Sequence, residues 1–259
     1  MMHIVQVHGR EAEQAFREAK FAVVPLGSIE YHGPHSPLGT DLLLAQGFAE
    51  RIDPALRPLL YPAIPYTACP GKTTDYPGTI AVPPDTFHQY LAAVLDGICR
   101  TGLRRILLLN AHDGNIGASR TVAEEITGRW KDASLLLVNW WQMAAVDAPE
   151  KLGLFTGTTG RGHGGPYEMS AVKALHPELV EVRKEDEELA APPPLSSLPY
   201  VLVEGTPRGW NGYTGSIRQI SLEAGEWIAG EVSGNLNRLL ARWLEGGGTG
   251  PEGSGSGSA

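Results

Sequence analysis

Short runs of uninterrupted apolar residues alternate with longer amphipathic stretches along the chain. "FAVVPLG" (21–27), "LRRILLLN" (103–110) and "ASLLLVNWW" (133–141) carry little polar alternation, the pattern of strands covered on both faces of a sheet. "LRPLLYP" (56–62) is a weaker run of the same kind. Between them, "TDLLLAQGFAERI" (40–52) reads as a helix with Thr40 or Asp41 at its N-cap. "PDTFHQYLAAVLDGICRTG" (84–102) is the clearest helix, with Asp85 placed to cap it and Gly102 to end it. Three more helices are expected over 114–130, 166–175 and 221–246. Strand–helix alternation of this kind predicts an α/β fold, a mostly parallel central sheet with helices on both sides.

No internal repeat breaks the pattern, and one domain over residues 1–245 is the expected organisation. The acidic and then proline-rich stretch 181–199 is followed by no second core, so it reads as a surface excursion or lid. The tail 246–259 is rich in glycine and serine and is expected to be disordered.

Composition narrows the function classes. A formal charge of −8 argues against a nucleic-acid binder, which would show a basic face. No apolar run approaches the length of a membrane span. The start, "MMHIVQVHGREAEQAF", lacks the apolar core of a signal peptide, so a cytoplasmic location is expected. Two cysteines, Cys69 and Cys99, are too few for a disulfide framework, and Cys99 falls in a helical pattern as a small buried side chain.

Ligand-type side chains collect where the strands end. In an open parallel sheet, ligands bind beyond the carboxyl ends of the strands. The first strand runs into "GSIEYHGPHSPLGTD", which carries Glu30, His32, His35 and Asp41. The strand at 103–110 runs into "AHDGN", with His112 and Asp113; "GRGHGGPYEMS" adds His163 in a glycine-rich loop and Glu168 in a first helical turn. Taken singly, each has an ordinary reading. His35 and Asp41 are also cap and turn residues, Asp113 is a turn former, His163 fits an exposed loop, and Glu168 suits a helix start without any metal. Taken together, several carboxylates at one sheet edge would repel one another unless a cation sat among them. Histidine with carboxylate is the ligand set of hydrolytic zinc and manganese sites. Asp41 has two oxygens with which to bridge two metals, and a metal pair can activate water for attack on a carbonyl.

"PLGSIEYHGPHSPLGTD" resembles the signature of the creatininase family, close to P-x-G-S-x-E-x-H-G-P-H-L-P-x-x-T-D. "NAHDGN" resembles that family's N-G-H-G-G-N, and "GHGGPYEMS" its H-A-G-x-x-E-T-S, with the five-residue step from His163 to Glu168 kept. The resemblance implies a three-layer α/β/α sandwich with a dinuclear metal centre, often assembled as a homohexamer. It implies Glu30, His32, Asp41, His112 and Glu168 as metal ligands, Asp41 bridging, and His163 as the acid/base or substrate-polarising histidine. The cofactors implied are two divalent ions, zinc first, with manganese or iron as alternatives. The partner implied is a small-molecule substrate.

The substrate itself is another matter. Creatininase proper carries a glutamate two residues after the histidine of its second motif, where this chain has Gly114. It also has a tryptophan shortly before the third-motif histidine, where this chain has "TGTTGRG" with Thr158 and Thr159. Asp113 is a candidate replacement for the missing glutamate, and Trp140 and Trp141 either line a pocket or pack in the core. Lys72, Arg161 and Arg208 are candidates for a basic rim. "ACPGKTTDYPGTI" (68–80) lacks the glycine spacing of a phosphate-binding loop; in the family this region is active-site wall. The expected activity is hydrolysis of a C–N bond in a small cyclic amide or formamide. Hydrolysis of another ring bond (a cyclic ketone or lactone), and a family member that binds without catalysis, are the alternatives.

Overall fold

The computed structural model describes residues 1–145, 148–156, 162–186, 205 and 209–246. Thr158, Thr159, Arg161, Arg208, the proline-rich stretch from 187 on and the tail from 247 on lie outside the described residues.

Among the described residues, five parallel strands form one sheet in the order β1-β3-β2-β4-β5: β1 Met2–His3, β2 Phe21–Leu26, β3 Pro58–Leu60, β4 Arg105–Asn110 and β5 Ser134–Asn139. The helices are α1 Ala12–Glu18, α2 Thr40–Ala49, α3 Pro84–Arg100, α4 Ile116–Arg129, α5 Ala148–Lys151, α6 Pro166–Leu175 and α7 Leu222–Glu245. The apolar runs become strands because both faces are covered. Phe21, Val23, Leu107 and Leu109 pack into one core with residues of α2, α6 and α7. Ala22, Val24, Leu26, Ile106 and Leu108 pack into the other with residues of α3 and α4. Successive strand side chains leave opposite faces, so a run without polar alternation builds two cores at once. The result is the expected α/β/α sandwich.

Several local expectations are corrected. The N-cap of α2 is Gly39, not Thr40 or Asp41. The Thr40 hydroxyl donates to the Pro37 carbonyl, and the Asp41 carboxylate faces histidines instead of helix amides. Pro83 occupies the N-cap of α3, and Asp85 sits in its first turn without a capping bond. Gly102 does stand just past this helix, at φ +99, a conformation that favours glycine. The strand β1 and the helix α1 carry too few residues to register as periodic patterns.

The helices α6 and α7 pack closely against each other. A Cβ on Gly225 would stand 1.9 Å from the Ser170 carbonyl oxygen. On helix propensity alone, Gly225→Ala would stabilise by about 1 kcal/mol. Here the steric term wins, since α6 and α7 would have to separate. We expect a loss of about 1–3 kcal/mol, read as a drop in Tm; a rise in Tm would contradict this packing argument.

Strand order then fixes where a ligand can bind. β2 and β4 are neighbours paired Leu26↔Asn110 at their carboxyl ends. After β2 the chain turns into α2 on one face, and after β4 into α4 on the other. Connections that diverge this way open a crevice at the strand ends.

Candidate metal centre

Two loops enter that crevice directly. The loop after β4 is fixed by buried asparagines. Asn110 donates to the His112 carbonyl and to Asn139, and accepts from the His112 amide. Asn115 donates to Asn110 and to the Gly27 carbonyl at the end of β2. His112 is thereby held against the loop that follows β2.

The third motif arrives from α6. His35 Nε2 lies 2.8 Å from the Gly164 carbonyl oxygen, so this buried ring ties the first loop to the third and stays outside the cluster. Gly164 has φ +65, and a Cβ there would meet the His32 carbonyl oxygen at 2.3 Å. Only glycine permits so close an approach in that conformation. The Gly164 amide then donates to Glu168 Oε2 at 2.8 Å.

The six side chains singled out in the sequence converge. His32 Nδ1 is 3.0 Å from the Glu30 carbonyl oxygen, leaving Nε2 to face Asp41 Oδ1 at 3.1 Å and Glu168 Oε2 at 3.7 Å. His112 Nε2 is 3.0 Å from the Ala68 carbonyl oxygen, leaving Nδ1 to face Glu30 Oε2 at 3.0 Å and Asp41 Oδ2 at 3.1 Å. Asp41 thus turns one oxygen to each imidazole. The His163 ring lies 4.0 Å from that of His32, with Nε2 2.7 Å from the Tyr31 carbonyl oxygen. Asp113 is exposed at the rim and joins none of these contacts.

Electrostatics follow from this crowding. Burial alone would favour a neutral His32, but Asp41, Glu168 and Glu30 outweigh it and push its pKa up to about 10. Burial likewise opposes charge on His112, yet the close approach of Asp41, Cys69 and Glu30 raises its pKa well above the usual value. Burial would raise Glu30 and Asp41, but their histidine neighbours hold both carboxyls below the usual range. Glu168 goes the other way, raised to about 7 chiefly by burial. Burial and then the His32 charge lower His163 to about 4.

This donor set fits divalent metal. Glu30 Oε2 and Asp41 Oδ2 are buried without an aligned hydrogen bond, although His112 Nδ1 lies near both. In each of His32 and His112 a backbone carbonyl takes one ring nitrogen and the other faces carboxylates. A carbonyl on the far nitrogen is the usual way a metal-binding imidazole is oriented.

A cavity of about 570 Å³ opens over the cluster. Trp140, stacked between Phe48 and Tyr167, and Trp141 line it, so the pair serves both pocket and core. Lys72 is the rim cation among the described residues; its Nζ lies 4.9 Å from the Trp210 ring centroid. Three nearby residues escaped the sequence reading. Trp210 stands 5.8 Å from the His163 ring and 5.8 Å from Tyr76, brought by a loop from the far end of the sequence. Thr73 donates to Glu30 Oε1, and Cys69 lines the cavity. The placement of 68–80 in the active-site wall was the only signal for Thr73 and Cys69; Trp210 had none.

A parallel α/β sandwich with buried imidazoles and carboxylates gathered at its strand ends defines a metal-dependent hydrolase. Residues 6–240 match the family model "Creatininase: Creatinine amidohydrolase", and the chain belongs to the creatininase family. It is 26% identical over 165 residues to 3-dehydro-scyllo-inosose hydrolase of Thermotoga maritima, covering 64% of this chain and 50% of that one. It is 26% identical over 218 residues to creatinine amidohydrolase of Pseudomonas putida, covering 80% of this chain and 83% of that one. The fold superposes on a crystal structure of creatinine amidohydrolase with a TM-score of 0.79 at 22% identity, covering 94% and 98% of the two chains. A manganese form of creatininase gives 0.75 at 22% identity, with the same coverage.

Proposed function

We propose that residues 1–245 form one hydrolase domain that cleaves the C–N bond of a small cyclic amide or formamide at a dinuclear metal centre. The observation that carries this reading is Asp41, whose two oxygens face two imidazoles belonging to different halves of the cluster. Glu30, His112 and Asp41 Oδ2 would hold one ion; His32, Glu168 and Asp41 Oδ1 the other. Two divalent ions there, zinc first and manganese or iron as alternatives, would acidify a water and polarise the scissile carbonyl.

The chain's own groups do the rest. The Tyr31 carbonyl accepts from His163 Nε2, which leaves Nδ1 as the basic nitrogen. That nitrogen takes a proton from the attacking water and returns it to the departing amine. Trp140 and Trp141 wall the substrate from bulk water.

Creatinine is not the substrate we favour. A Cβ on Gly114 would lie 2.6 Å from both the Ala68 carbonyl oxygen and His112 Nε2. The glutamate expected there in creatininase proper does not fit this backbone. The resemblance to an inosose hydrolase supports a second reading, hydrolysis of a carbocyclic ketone or lactone. By family resemblance we also read the enzyme as a homo-oligomer, a hexamer.

The test combines elemental analysis of wild type and His112→Ala with a panel of cyclic amides, formamides, lactones and cyclic ketones. About two ions per chain, falling sharply in the variant, with turnover of an amide, is the expected result. Near-zero metal in both after reconstitution would end the hydrolase reading. Turnover of lactones or ketones alone would select the second one.

A further inference from the structure

The cluster contains a donor that the ligand set above leaves unused. Cys69 is 1% exposed and lines the cavity beside Glu30 and His112. Its Sγ, a Glu30 carboxylate oxygen and a His112 ring nitrogen all lie within 4.8 Å of one another. Glu30 is 5% exposed, and its Oε2 has no aligned hydrogen bond. Thr73 fixes the geometry from behind: its hydroxyl donates to Glu30 Oε1 and stands 3.5 Å from Cys69 Sγ. The other cysteine, Cys99, faces the core from α3 and has no part in this.

A thiol is a weak hydrogen-bonding group, and beside a buried carboxylate it does little as a neutral side chain. As a thiolate it is a strong ligand for a borderline-soft cation. Zinc binds sulfur at about 2.3 Å and nitrogen or oxygen at about 2.0–2.2 Å, so tetrahedral donors stand roughly 3.3–3.6 Å apart. The three atoms, within 4.8 Å of one another without an ion, would draw together around it.

We propose that Cys69 is a sulfur ligand in the half of the centre held by Glu30 and His112, and that it makes this half prefer zinc to manganese. This rests on the dinuclear reading above. The other half, with His32, Glu168 and Asp41 Oδ1, offers only nitrogen and oxygen and suits either metal. The two halves therefore differ in selectivity although they share Asp41.

X-ray absorption at the zinc edge decides the matter on the full chain loaded with zinc alone, and wild type is sufficient for the primary result. A sulfur shell at about 2.3 Å, averaging about one sulfur per two zinc ions, is expected. It should vanish in Cys69→Ser and in Cys69→Ala, either of which serves if the other fails to fold. In zinc–manganese competition at one equivalent of total metal, Cys69→Ser should shift the bound ratio toward manganese by about tenfold or more. A wild type holding two zinc ions without a sulfur shell, or a shell that survives in Cys69→Ser, would overturn the assignment while leaving the dinuclear centre intact. A wild type that holds no zinc would overturn both, and the metal count separates the cases.

Discussion

Asp41→Asn should abolish turnover and strip metal from the enzyme. The substitution keeps the size of the side chain and removes its charge, so packing around α2 is preserved. One of the two oxygens becomes an NH₂ group, a donor with no lone pair for a cation. Because Oδ1 faces His32 and Oδ2 faces His112, whichever way the amide turns, one half of the cluster loses its bridging ligand. A fall of about three orders of magnitude or more in kcat/KM is expected, equivalent to roughly 4 kcal/mol of transition-state stabilisation. Bound metal should fall from about two ions per chain to one or fewer. The checks are elemental analysis beside turnover of the best substrate from the panel. Two retained ions with near-normal rates would remove Asp41 from the centre and with it the bridging argument.

His163→Ala should separate chemistry from metal binding. Its ring lies 4.0 Å from that of His32, yet its Nε2 is committed to the Tyr31 carbonyl 2.7 Å away. Burial, reinforced by the His32 charge, keeps its pKa low, at about 4, so near neutrality the ring is a proton acceptor at Nδ1. Loss of a positioned general acid–base typically costs about 10²–10⁴-fold, and kcat should fall in that range while the metal count stays at the wild-type value. His163 also lies within 4.8 Å of donor atoms on Glu30 and His32. Metal lost together with activity would therefore reassign it as a ligand. An unchanged kcat would remove it from the proton path.

The two variants together test the division of labour across the cluster. Residues whose free nitrogen or oxygen points at another donor hold cations. In the proposed centre His163, which faces no carboxylate in a direct ion pair as His32 and His112 do, would move protons. Cys69 adds a chemical difference between the two halves, through the softness of its sulfur.

The sequence by itself determined the layers and which side chains gather at the strand ends. Residues 21–26 and 105–110 had to be doubly covered strands, because a run such as "AVV" or "ILLL" leaves no polar face to turn to water. The helix over 166–175 was legible to the residue from its proline start and its periodicity. Glu30, His32, Asp41, His112, His163 and Glu168 could be placed at the strand ends from local pattern, and the family resemblance singled them out as a set. Cap assignments failed where tertiary demand overrode local preference. Asp41 is a good N-cap residue, but two histidines claimed its oxygens.

Only the tertiary structure decided the rest. Which nitrogen of His112 faces the carboxylates depends on the Ala68 carbonyl, 44 residues away in the chain. The placing of Thr73 behind Glu30 and of Trp210 near His163, like the entry of Cys69 into the cluster, depends on loops meeting at the crevice where β2 and β4 diverge. Local pattern encodes which face of an element is apolar. It does not encode the separation of loops that the strand order brings together, because that distance is set by the packing of the whole sheet.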